Sequence, residues 1–142
     1  MLVVAKIGTS SLTDTEGGIV RAAIDKLCAE AAQLRGAGHQ VLLVTSGAIG
    51  AGLPLLGLGG ARRPRDPVTL QAVSAVGQSR LMQGYNESLA AHDLVAGQVL
   101  LAPLDFVDRR QYLQARGTLD RLLELGVAVS YTHLTLPTIL RV

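Results

Sequence analysis

Tryptophan is absent, phenylalanine occurs once and tyrosine three times, so aromatic residues make up only 3% of the 142 positions. Any core therefore has to be built from Leu, Val, Ile and Ala, and the hydrophobic content of 49% is enough for one ordinary domain. A single cysteine, Cys28, excludes an internal disulfide and fits a reducing, cytoplasmic setting. It falls in a helical pattern, where a buried structural thiol is the simpler reading than a nucleophile. His39, His92 and His133 are scattered, and none lies at helical spacing from another, so no metal-ligand cluster is expected. No apolar run is long enough to span a bilayer, and no basic leader precedes the first Val-rich run, so no membrane association is expected. The formal net charge of +2 argues for neither nucleic acid nor an anionic surface as partner. The densest basic run, Arg62-Arg63-Pro64-Arg65, reads as a solvated loop.

What is present is a set of short, nearly continuous apolar runs: Leu2 to Ile7, Gln40 to Thr45, Leu94 to Leu101, and Val127 onward. Continuous rather than alternating hydrophobicity is the mark of parallel strands covered on both faces. Helical periodicity fills the gaps. Ile19, Ala23, Leu27, Ala31 and Leu34 recur every three or four residues before Gly36 and Gly38. Asp66-Pro67 supplies an N-cap and a first-turn proline, and Leu70, Val73, Gly77, Leu81, Tyr85 and Leu89 then hold one stripe. Tyr112, Ala115, Leu119 and Leu122 mark a last helix ending at Gly126. The βα, βα, βα, β order predicts an α/β fold, a parallel sheet with helices on both faces and its ligands at the carboxyl ends of the strands.

Two loops lie at such ends. The first strand closes with Lys6-Ile7-Gly8-Thr9-Ser10-Ser11, a cation and hydroxyls beside a small flexible turn. Phosphoryl transfer uses such a grouping, because positioned cations and donors stabilise charge on the moving phosphoryl oxygens; a simple turn would read the same way. The second closes with Thr45-Ser46-Gly47-Ala48-Ile49-Gly50-Ala51-Gly52. Small residues between a strand and a helix suit an anion at the helix N-terminus, and equally suit close strand-to-helix packing. The P-loop pattern is absent, and the Gly47, Gly50, Gly52 spacing is not that of a dinucleotide fingerprint. Gly57-Leu58-Gly59-Gly60 follows no strand and reads as a connector.

Taken together, VVAKIGTSSLT (3–13), GHQVLLVTSGAIGAGL (38–53), QAVSAVGQSRLMQ (71–83) and GQVLL (97–101) resemble the amino acid kinase family. Within it they resemble the branch that phosphorylates the side-chain carboxylate of glutamate in the first step of proline biosynthesis. The resemblance covers about residues 1–128. It implies that Lys6 is catalytic and contacts the ATP phosphates with Gly8, Thr9 and Ser10. It implies further that Ser46, Gly47 and Ala48 bind glutamate, and that Mg²⁺ arrives with ATP rather than on protein ligands. A homo-oligomer when intact and feedback inhibition by proline also follow from the resemblance. Ala5, Ala102 and Gln114 depart from the family pattern, outside the two loops. A reductase-fused bifunctional version of the same kinase, and a non-catalytic anion-binding half-domain, are the alternatives.

After Val127 the family continues into an Asn-Glu-Asn-Asp segment that this chain lacks. The expectation is thus a kinase domain truncated after about its fourth strand and inactive by itself, with residues 1–128 as its N-terminal part. Residues 129–142 are read as a non-native tail in which Tyr131 and His133 carry no function. VSYTHLTLPT (129–138) resembles the in-frame translation of a transposase-type sequencing adapter. Sequencing the coding DNA checks this, since synonymous codons that depart from the adapter would refute it.

Overall fold

The computed structural model describes residues 1–101 and 104–133, without the side chains of residues 61, 104 and 129–133. Strands β1 (Leu2–Ile7), β2 (Gln40–Thr45), β3 (Ala96–Leu101) and β4 (Ala128–His133) form one sheet in the order β1-β2-β4-β3. Every pair in it is parallel. Five helices join them: α1 (Arg21–Gly36), α2 (Ala48–Leu55), α3 (Pro67–Ala90), α4 (Leu104–Val107) and α5 (Arg109–Glu124). The first two strands begin and end where the apolar runs do. β3 begins at Ala96, later than the run from Leu94, because the Leu94 amide is bonded back to the Leu89 carbonyl in the turn out of α3.

The strand order assigns the helices to faces. The chain moves from β1 to β2 and on to β3 in one direction across the sheet, then steps back from β3 to β4. Parallel crossovers are right-handed, so this reversal puts α1 to α3 on one face and α5 on the other. Burial agrees. Val41, Leu43 and Thr45 of β2 are buried, and the first two share a core with Ile24, Cys28, Leu81 and Tyr85 from α1 and α3. The intervening Leu42 and Val44 face the α5 side and are half-buried. β4 lies between β2 and β3, so residues 129–133, read from sequence as part of a tail, pair along a central strand. Such pairing uses backbone groups common to all residues. Residues 134–142 and Ala102 lie outside the described residues.

Local chemistry fixes the helix ends. The Asp66 carboxylate accepts the Thr69 amide at 2.8 Å and Pro67 occupies the first turn. That hydrogen bond holds the Asp66 carboxyl below its ordinary value. Asp108 caps α5 in the same way through Gln111, at 2.9 Å. Of the α3 stripe read from sequence, Val73, Gly77, Leu81, Tyr85 and Leu89 are buried and Leu70, at its start, is half-buried. Tyr85 and Cys28 are fully buried, and burial pushes both the phenol and the thiol upward in pKa. The Tyr85 hydroxyl approaches Thr45 without meeting hydrogen-bond geometry.

Ile19 departs from the sequence reading. It stands before α1, where it bridges Thr13 in an antiparallel pair. The Asp14 side chain accepts the amides of Glu16 and Gly18, each at 2.9 Å, and Gly17 takes a left-handed φ of 86°. An Asp followed by glycines favours such a turn over an early helix start.

The tightest packing is between α2 and α3. A Cβ on Gly77 would strike the Ala48 carbonyl, and one on Gly52 would strike the Val73 carbonyl. These obstacles are backbone, which cannot swing aside as a side chain can. Gly77→Ala should therefore destabilise the fold by roughly 2–4 kcal/mol despite its better helix propensity. A lowered urea midpoint is the expected readout, and an unchanged or raised midpoint would refute this account of the packing.

Candidate functional site

β1 and β2 are neighbours in register, with Lys6 opposite Val44 and Ile7 opposite Thr45, so their carboxyl-end loops emerge side by side. After Ile7 the chain turns through Gly8 into a single 3₁₀ turn, Thr9–Ser11. Gly8 is extended at φ −77°, a conformation open to any residue, so it owes nothing to left-handed geometry. Its exposed position leaves the backbone approachable.

The second loop is more constrained. Gly47 caps α2 with φ 115°, in the left-handed region that side-chain-bearing residues avoid. A Cβ there would stand 3.1 Å from Ile19 Cδ1, and one at Gly50 would stand 2.6 Å from the Gly17 carbonyl oxygen. The hairpin at residues 13–19 is thus the seat of the first turn of α2. Sequence reasoning missed this role; the Asp14-to-Gly18 turn chemistry was the available signal.

A hydroxyl pair joins the two loops. Thr9 Oγ1 and Ser46 Oγ are 2.9 Å apart, and Ser46 Oγ also donates to the Ile7 carbonyl at 3.3 Å. Serine has one hydroxyl hydrogen, so with that proton on Ile7 the Thr9 hydroxyl is the donor to Ser46. Thr13 Oγ1 donates to the Thr9 carbonyl at 2.9 Å and steadies the first loop from beneath.

The first α-helical hydrogen bond of α2 runs from the Ala51 amide to the Gly47 carbonyl at 2.9 Å. The amides of Ala48, Ile49 and Gly50 therefore precede the ladder, and no side chain caps them. They form the positive end of a helix beside the Ser46 hydroxyl, suited to a carboxylate or phosphate. Of the residues singled out from sequence, Thr9 and Ser46 are brought into contact, while Gly47 and Ala48 are buried at the start of α2 and Ser10 is exposed. Lys6 stands apart. It is exposed on the α5 side of the sheet, on the same face of β1 as Leu2 and Val4, and contacts neither loop among the described residues. Its ammonium is carried on a flexible four-carbon stem. Among the described residues, no group of three or more His, Cys, Asp or Glu could hold a metal ion. No helix among them is long and apolar enough to cross a membrane.

Comparison with known proteins places these loops in context. The pattern of the amino acid kinase family matches residues 1–137. Glutamate 5-kinase of Pelobacter propionicus is 47% identical over 125 residues, which are 88% of this chain and 33% of that protein. Glutamate 5-kinase of Ralstonia nicotianae is also 47% identical over the same shares. That of Thermobifida fusca is 45% identical over 124 residues, 87% of this chain and 31% of the relative. The chain thus spans about a third of the length of the curated relatives it matches.

The Gly47 geometry makes a sharp prediction. Gly47→Ala should cost roughly 1–3 kcal/mol, from left-handed strain together with the approach to Ile19. Chemical denaturation measures this, and an unchanged midpoint would show that the loop relaxes freely.

Proposed function

The chain belongs to the amino acid kinase family, and from that premise we propose that its two loops are the phosphate and carboxylate cradles of a glutamate 5-kinase. The reaction is ATP-dependent phosphorylation of the glutamate side-chain carboxylate. The observation that carries the proposal is the 2.9 Å contact between Thr9 and Ser46, which ties two donor-rich loops together at adjacent parallel strand ends. Likeness to relatives named glutamate 5-kinase supports the choice of substrate.

In this reading Gly8, Thr9 and Ser10 receive the ATP phosphates. Ser46, Gly47 and Ala48 hold glutamate at the amide-rich start of α2. The attacking carboxylate is already ionised at neutral pH, so no protein base has to remove a proton. One carboxylate oxygen attacks the γ-phosphorus; the new P–O bond forms as the bond to the β-bridging oxygen breaks, and ADP leaves with that electron pair. The Lys6 ammonium offsets negative charge on the phosphoryl oxygens as that exchange occurs. Mg²⁺ would enter with the nucleotide and supply further charge neutralisation there. Two negatively charged substrates repel, so catalysis consists of alignment and of cancelling that repulsion.

Kinetics of ADP release test this, measured on the chain and on a version extended to the relatives' length. Release should depend on glutamate, and glutamine, which lacks the nucleophilic carboxylate, should not replace it. In a form that turns over, Lys6→Ala should lower kcat by about 100-fold or more, as for other lost transition-state donors, while the glutamate Kd changes little. Equal ADP release with glutamine would overturn the substrate assignment, and unchanged turnover in Lys6→Ala would remove Lys6 from the mechanism.

A further inference from the structure

Thr13 follows the 3₁₀ turn of the β1 loop and is half-buried, with one branch of its side chain on that loop and the other on α2. Its hydroxyl donates to the Thr9 carbonyl at 2.9 Å, and the Leu12 amide donates to the same oxygen at 3.0 Å. Both lone pairs of that carbonyl are thereby used. The methyl lies on the α2 side: a Cβ on Gly50 would stand 3.0 Å from Thr13 Cγ2. A β-branched side chain is stiff at χ1, so a methyl seated there keeps the hydroxyl on Thr9.

Thr9 is therefore held twice, at its side chain by Ser46 Oγ and at its carbonyl by Leu12 and Thr13. The peptide that follows is planar and trans, so the Ser10 N–H points opposite to the Thr9 carbonyl. It is directed away from the Leu12 amide and the Thr13 hydroxyl, and it has no hydrogen-bond acceptor among the described residues. A carbonyl that accepts two hydrogen bonds also polarises its peptide, which makes the N–H of that peptide a stronger donor. An oriented backbone donor without a partner suits an anion's oxygen.

We propose that Thr13 is a positioning residue of the β1 loop, its hydroxyl fixing the Thr9–Ser10 peptide so that the Ser10 amide is held ready for a phosphate oxygen. The inference rests on the reading of that loop as the ATP phosphate cradle, and adds a residue that touches no substrate. Through its methyl the same side chain refers the β1 loop to the first turn of α2, so the two cradles share one support.

The probe is inorganic triphosphate, titrated into the ¹⁵N-labelled chain, with Thr13→Val and Thr13→Ser beside the wild type. In the free chain, Thr13→Val should move the Ser10 amide resonance and leave those of α1 and α3 in place, because the side chain keeps its shape and loses only the hydroxyl. Triphosphate should shift the wild-type Ser10 amide saturably, and Thr13→Val should weaken that binding roughly three- to tenfold. Thr13→Ser, which keeps the hydroxyl, should recover most of the affinity. An unmoved Ser10 resonance in free Thr13→Val, undiminished triphosphate affinity in that variant, or no recovery with Thr13→Ser would each overturn the role of Thr13. Resonance changes spread through α1 and α3 would make Thr13 a residue of general stability and overturn it equally. A wild-type Ser10 amide that triphosphate leaves unmoved, even where Thr13→Val moves it in the free chain, would overturn the phosphate reading of the loop and the positioning role with it.

Discussion

The close approach of α2 to its neighbours is the constraint on which the rest depends. Gly52 and Gly77 bring the backbones of α2 and α3 together without a side chain between them, and Gly50 does the same against the Gly17 carbonyl. Close approach of this kind fixes a short helix more firmly than its own eight residues could, since isolated helices of that length are unstable in water. With α2 fixed, its first turn is held directly after Ser46, the residue that meets Thr9 of the loop following β1. A longer residue at any of those glycines would move the N-terminal end of the helix, and with it the candidate site.

The two loops differ in how they are held. The β2 loop is rigid by construction, with a left-handed glycine, Ile19 against it and a helix behind it. The β1 loop is a 3₁₀ turn at the surface, tethered by Thr13 beneath and by the Thr9–Ser46 hydroxyl pair at its side. In the proposed reaction this division is sensible. The carboxylate-bearing substrate is held on the rigid cradle, and the exposed loop and the flexible Lys6 follow the phosphates of the other.

Much of the fold was legible because its signals are local. β1 and β2 coincide with their apolar runs, although only β2 is covered on both faces among the described residues, Leu2, Val4 and Lys6 of β1 being exposed. The Asp66-Pro67 start and the Val73 to Leu89 stripe of α3 were readable because capping and helical period are set by nearby residues. Ile19 was not, because its apolar character fits the α1 period while the Asp14 turn, a competing local preference, diverts it into a bridge. The place of β4 between β2 and β3 was not legible either. Strand order depends on which distant edges meet, and a backbone ladder leaves little mark on the residues that form it.

The candidate site divides in the same way. By itself the sequence determined the chemical inventory: a strand-end lysine, a Gly-Thr-Ser turn and a Ser-Gly-Ala entry into a helix, recognisable because strand-loop-helix junctions are written in consecutive residues. It left two readings of the second loop, anion site or close packing. The tertiary structure shows the close packing, and it leaves the amides of Ala48, Ile49 and Gly50 ahead of the helical ladder, beside Ser46. Gly50 and Gly52 serve the packing, and Gly47 shares in it, since a Cβ there would meet Ile19. Only the fold could also bring Thr9 to Ser46 and leave Lys6 apart on the other face, because contacts across 37 positions arise from the pairing of whole strands rather than from any local preference.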